Sequence, residues 1–324
     1  MQPMNNLIDP AILFFAFGAI AGLVRSNLEI PPQVSRFLSL YLLMALGLKG
    51  GFALAKSGLN AQVLTSLGCA ILLAIIVPLI GYSLLRRKLN RFDAIALAAT
   101  YGSVSAVTFI TATQHLENVG TPFGGHMAAA MALMESPAII IAVVLANLHR
   151  RKTTSNSSTS TLPLSKILHE SFTDGAQLLL LGSMAIGILS GESGKVAMQP
   201  FSGDLFKGML AFFLLDMGLL AARNFKEVAG KSKWVIAYGI LGPLAHATIA
   251  LAFCFLFKIG PGDGALLMTL AASASYIAVP AVLRFAIPEA NPSLYFGLSL
   301  GLTFPLNIIL GIPLYASIAR ICLG

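Results

Sequence analysis

The chain has 324 residues, of which 56% are hydrophobic and only 10% charged, against about 25% charged in an ordinary soluble domain. With a mean hydropathy of +0.83 it has too few charges to cover a water-facing surface. That excludes a soluble enzyme, a disordered chain and a disulfide scaffold, and leaves the bilayer as solvent. The net charge of +8 comes with no basic stripe interleaved with aromatics, so it points to cytoplasmic loops rather than nucleic acid.

Ten apolar runs predict membrane helices over Ala11–Val24, Phe37–Leu54, Val63–Leu85, Ala94–Ala112, Met127–Leu148, Gln177–Ser190, Leu205–Ala222, Val235–Phe257, Ala265–Phe285 and Leu294–Ala319. They are too long, and too uniformly apolar, for barrel strands. The first ten residues hold no Lys or Arg, so the first segment is expected to be retained rather than cleaved as a signal peptide. Cys69, Cys254 and Cys322 form no CxxC pair and read as packing residues.

Basic residues orient the segments. One set of loops holds Arg25 and Arg36; Arg86, Arg87, Lys88 and Arg91; Arg150, Arg151, Lys152 and Lys166; Arg223, Lys226, Lys231 and Lys233; and Arg284. The opposite set holds Lys56, Lys195, Lys207, Lys258 and Arg320. The three-to-one bias puts the first set inside, and both termini outside the cell (inner) membrane. Thr153–Thr161 is a run of Ser, Thr and Asn that cannot bury enough surface to order itself, and reads as part of a cytoplasmic linker.

The linker divides the segments five and five, and the halves match in order at offsets of 168 to 173 residues. Leu43-Met-Ala-Leu-Gly47-Leu pairs with Leu214-Leu-Asp-Met-Gly218-Leu, Ala98-Ala99 with Ala271-Ala272, Pro122 with Pro292, and Pro137 with Pro305. Because each half has an odd number of spans, the second copy is inverted. The expected architecture is an all-α membrane protein of two inverted five-helix repeats, residues 1–148 and 171–324, joined by a linker at 149–170. Inverted repeats mark secondary transporters with a midplane site.

Segments four and nine are poor regular helices. Thr100-Tyr-Gly102-Ser103-Val-Ser105-Ala-Val-Thr108 and Ser273-Ala-Ser275-Tyr276-Ile-Ala-Val-Pro280 predict helices that break at membrane depth and cross. Such breaks persist where they line a cavity. N–H groups freed at a half-helix start favour an anion, and nearby carbonyls and hydroxyls suit sodium. The same small residues also suit simple close packing.

Lys49, Glu135, Asp216 and His246 are the ionisable residues well inside apolar segments, where each is costly without a partner. Lys49 and Asp216, near the equivalent Gly47 and Gly218, are expected to approach each other or the pathway, or to form a structural pair locking the halves. His246 reads as a packing histidine. Glu135-Ser136-Pro137 is matched by Thr303-Phe-Pro305 with Asn307 one turn on, which makes Glu135, Thr303 and Asn307 candidate coupling-ion residues. No HExxH, P-loop, GxSxG or His/Cys metal spacing occurs, so no enzyme and no ATP-driven pump is expected.

Gly102-Ser-Val-Ser-Ala-Val-Thr108, Pro137-Ala138, Val144-Leu-Ala-Asn147 and above all Ile287-Pro-Glu-Ala-Asn-Pro-Ser293 resemble the sodium-dependent bicarbonate transporter family, best known from cyanobacteria, over nearly the whole chain. The resemblance implies a core domain moving against a gate domain, a homotrimer, bicarbonate and sodium bound between the broken helices, no cofactor beyond sodium as coupling ion, and a cytoplasmic PII-like regulator. By position it implies substrate contacts from Gly102, Ser103, Ser105, Ser273 and Ser275, and coupling-ion contacts from Thr108 and Glu135, the latter where cyanobacterial members carry an aspartate. Tyr276 stands where those members place a second aspartate. The function expected is sodium-coupled uptake of bicarbonate or a similar small anion. The alternatives are a proton-coupled or sodium-independent organic-anion carrier of the same architecture, and a receptor or scaffold that no longer transports.

Overall fold

The computed structural model describes residues 9–58, 60–153, 175–228 and 230–324, so most of the expected linker lies outside the described residues. The described residues form helices and connections, with no strand among them. In chain order the helices are α1 (Pro10–Leu23), α2 (Pro32–Ser57), α3 (Ala61–Leu85), α4 (Arg91–Gly102), α5 (Ala106–Asn118), α6 (Met127–Thr153), α7 (Gly175–Met198), α8 (Phe206–Val228), α9 (Lys233–Leu256), α10 (Pro261–Ala272), α11 (Ala278–Ala286) and α12 (Pro292–Leu323). Each of the ten apolar runs is helical, and segments four and nine are each split into two shorter helices.

Among the described residues, seven helical stretches are long and apolar enough to cross a membrane. One of them, Gly175–Phe225, contains the sixth and seventh expected segments, bent where Gly191 takes φ 55°, a left-handed conformation that favours glycine. The first segment is a 14-residue apolar helix, and the ninth is divided between α10 and α11. The helix starts follow sequence chemistry. Asp9 accepts from the Ala11 N–H at 2.8 Å, Asn60 from Val63 and Asn90 from Asp93, each satisfying a donor that the first turn leaves unpaired.

Two helix pairs pack along their lengths, α1 with α8 and α2 with α7; α3 lies on α4 and α6, while α9 and α12 lie on α10. The glycines that the two halves share set these contacts. A Cβ on Gly218 would overlap the Phe15 carbonyl of α1, and one on Gly47 would overlap the Leu180 carbonyl of α7. Large apolar side chains left exposed on α1 and α9, such as Phe17, Ile20, Leu241 and Phe255, form the surface that lipid would cover.

The Ile287–Ser293 string is a structural joint between α11 and α12. The Arg150 guanidinium donates to both Glu289 carboxylate oxygens, at 2.8 and 2.7 Å, and to the Ala286 carbonyl that ends α11, at 2.9 Å. The Asn291 N–H donates to Asp93 Oδ1 at 2.7 Å. The string thus ties the ends of α6 and α11 to the start of α4. The hydrogen bond from Arg150 holds the Glu289 carboxyl below its usual value. A depressed carboxylate contributes stability above its unfolded pKa of about 4.5, and loses it as pH falls through the lower folded value. Glu289→Gln should therefore be less stable than the parent at neutral pH and converge with it as pH falls through the lowered folded value of the carboxyl. Glu289 is 38% exposed and screened by water, so the difference is expected at about 0.5–1 kcal/mol. Unfolding of the detergent-solubilised pair across pH measures it.

Candidate functional site

The fourth segment carries many hydroxyls yet is 94% buried, which places its break in the middle of the protein. Ser103 and Ser105 are extended there, and so is Ser273 at the end of α10. The two breaks satisfy each other. The Ser105 N–H donates to Ser273 Oγ at 3.0 Å, and the Ser275 N–H to the Thr100 carbonyl at 2.8 Å. Backbone groups that lipid could not satisfy are thereby paired across the crossing.

Each break then leads into a half-helix whose first turn donates to a serine hydroxyl: Ser105 is the N-cap of α5, and Ser275 stands two residues before the Ile277 cap of α11. Ser105 Oγ accepts from the Thr108 N–H at 3.2 Å and the Thr108 hydroxyl at 2.9 Å; Ser275 Oγ accepts from the Val279 N–H at 3.3 Å. These serines, with Ala106 and Val107 of α5 and Ile277 and Ala278 of α11, line a cavity of about 190 Å³. Glu135 and Ser136 of α6 and Tyr276 complete that side, while Ser39 and Leu43 of α2 and Ala176 and Gln177 of α7 close the other. Two helix N-termini, four serines and one glutamate therefore meet in a space that fits a small polyatomic ion.

The sequence-derived residues fall into two groups. Ser105, Ser275 and Glu135 line the cavity. Gly102, Ser103, Ser273, Thr108, Thr303 and Asn307 stand behind it. Gly102 presses on Pro78 of α3, where a Cβ would lie 2.5 Å from the ring. Ser103 Oγ donates to the Glu135 carbonyl at 3.1 Å, and Ser273 Oγ both accepts from Ser105 and donates to the Leu270 carbonyl. Thr303 donates to the Gly239 carbonyl at 2.8 Å and meets the Tyr101 hydroxyl. The Asn307 amide holds the Ala272 carbonyl at the end of α10, also at 2.8 Å, and is itself bonded by Tyr315.

Lys49 and Asp216 do not pair. Asp216 accepts from Ser35 of α2 at 2.5 Å, and Lys49 bonds Glu117 of α5 at 3.1 Å. Gln177 was not singled out in the sequence, because it reads as the polar flank of an apolar run. In the structure it is buried, and its amide donates to the Ala132 carbonyl at 2.9 Å, joining α7 to α6 at the cavity wall. Tyr276 is also buried, its ring edge-on to Phe304 and its hydroxyl 3.8 Å from Met217 Sδ of α8.

The whole sequence matches the Na+-dependent bicarbonate transporter superfamily, over residues 10–320. The chain belongs to that superfamily. No curated protein matches it individually. Membership makes this superfamily protein a multi-pass membrane transporter and not an enzyme.

Proposed function

We propose that the chain is a secondary active transporter that couples sodium to the uptake of bicarbonate, or a similar small anion, by alternating access. The observation that carries this reading is the cavity of about 190 Å³ between the half-helix starts at Ser105 and Ser275, with Glu135 in its wall. Helix starts attract an anion through unpaired N–H groups and the helix dipole. The serine hydroxyls and the Glu135 carboxylate offer oxygens to sodium. Sodium beside a bound anion would offset its charge, so each ion favours the other's binding. Thr108 orients Ser105, while Thr303 and Asn307 hold the backbone around the crossing.

The cavity has two walls from different sets of helices. In this reading α1, α2, α7 and α8 are the gate and the remaining helices the core, and each of the two inverted repeats contributes helices to both. Supporting it are the matched breaks in segments four and nine, the matched glycines at 47 and 218, and the exchanged pairings of α1 with α8 and α2 with α7. The basic loops argue for both termini outside a cell inner membrane. A homotrimer and a PII-like cytoplasmic regulator follow from the family resemblance and belong to the same proposal.

One observation favours a proton-coupled or sodium-independent carrier of organic anions instead. Glu135 is the single acidic side chain among the described residues that line the cavity, and a carboxylate in a transport cavity is suited to carry a proton. Uptake of labelled bicarbonate in a transport-deficient host distinguishes the two. Sodium-coupled transport predicts uptake that rises with external sodium. Uptake indifferent to sodium but steeply pH-dependent would support the proton-coupled reading.

A further inference from the structure

Helix α5 runs from the buried crossing to a more open vestibule and carries a chemically marked residue near each end. Its start caps the small cavity, and near its other end Glu117 stands in the wall of a larger cavity of about 540 Å³, between α2, α5, α7 and the start of α8. There the Lys49 ammonium lies 3.1 and 3.4 Å from the two Glu117 carboxylate oxygens and 4.2 Å from the centre of the Phe206 ring. Lys56 also lines this vestibule, as do Lys195 and Glu192, which pair with each other at 3.4 Å. The pair is half-open to water, at 28% and 37% exposure, and such pairs are weak enough to be exchanged by a dissolved ion.

A carboxylate with both oxygens on one ammonium has the arrangement a bicarbonate or short carboxylate would adopt at the same cation. We propose that Lys49 is an anion-receiving site in this vestibule, and that Glu117 is its internal stand-in, holding the site until a small carboxylate-like anion displaces it. The inference rests on the reading of the protein as a carrier of such anions, and assigns it a second, weaker site at the far end of α5. Lys49 belongs to the proposed gate and Glu117 to the proposed core, so the exchange also releases one body from the other. Phe206 contributes its ring face, which favours the cation without competing for it as a second carboxylate would.

A structural ion pair and an anion site with an internal competitor predict opposite signs. Removing Glu117 unmasks the site, whereas removing Lys49 deletes it. The test uses the full-length protein in lipid nanodiscs with ¹³C-labelled bicarbonate, formate and acetate, binding being read from NMR line broadening. Glu117→Gln should bind at least one of the three about two- to fivefold more tightly than the parent, the range set by a half-exposed pair. Lys49→Gln should abolish the Lys49-dependent component, Lys49→Arg should retain it, and the Lys49→Gln/Glu117→Gln double variant should behave as Lys49→Gln. Ser105→Ala with Ser275→Ala disables the crossing cavity, and Lys49-dependent binding should survive in that background. If Glu117→Gln and Lys49→Gln weaken binding alike, or if no probe shows a Lys49-dependent component, the proposal is overturned. If that component is present while sodium-driven uptake is absent, the vestibule site stands and the transport reading fails.

Discussion

Glu135→Gln is expected to lower bicarbonate uptake at sub-saturating sodium by about 10- to 100-fold, the loss of one interaction with a charged group. The substitution keeps side-chain size and shape. Ser103 bonds the Glu135 backbone carbonyl rather than its side chain, so the link from the break to α6 survives. What changes is one negative charge in the wall of the cavity, and with it the attraction for sodium beside a bound anion. The sodium concentration giving half-maximal uptake should rise while the purified protein keeps its unfolding midpoint. Glu135→Asp, which keeps a carboxylate on a side chain one methylene shorter, should retain sodium dependence. If Glu135→Gln instead leaves the sodium curve in place and removes the pH dependence, the proton-coupled reading is the correct one.

Gly218→Ala should destabilise the protein by about 1–3 kcal/mol, the usual cost of overpacking, and depress uptake with it. The new methyl would overlap the Phe15 carbonyl oxygen and crowd the Ala19 nitrogen. Both are backbone atoms of α1, so no rotamer change relieves the overlap and α1 must move away from α8. Gly68→Ala is the matched control, since a Cβ there meets nothing within 4 Å. It should change stability by no more than about 0.5 kcal/mol. Thermal unfolding of both variants in detergent compares them. Equal midpoints would mean that α1 and α8 are not held by this contact.

Much of the fold could be read along the chain because lipid imposes a simple rule: every backbone group must be satisfied within its own segment. Ten apolar runs therefore had to be helices, and where Gly102, Ser103, Ser105, Ser273 and Ser275 made poor helix the chain had to break. The roles of those residues were less legible. Ser105 and Ser275 face the cavity whereas Ser273 is consumed by the crossing, although all three are serines in similar strings. The difference lies in which hydroxyl the partner break reaches, and that partner is more than 160 residues away in sequence. The Ile287–Ser293 string shows the opposite limit. It is the most recognisable motif in the chain, and in the structure it holds Arg150, Glu289 and Asp93 in one joint.

Charges show the division most clearly. Scarcity of charge was enough to establish a membrane protein, because a charge left facing lipid is costly wherever it stands in the sequence. The same arithmetic singled out Lys49, Glu135 and Asp216, but could not assign their partners. Lys49 and Asp216 sit near equivalent glycines, which made a mutual pair reasonable. The tertiary structure gives one to Glu117 and the other to Ser35. Helix periodicity says which residues share a face, whereas an ion pair depends on which two faces the packing of ten segments brings together, and only the folded chain decides that.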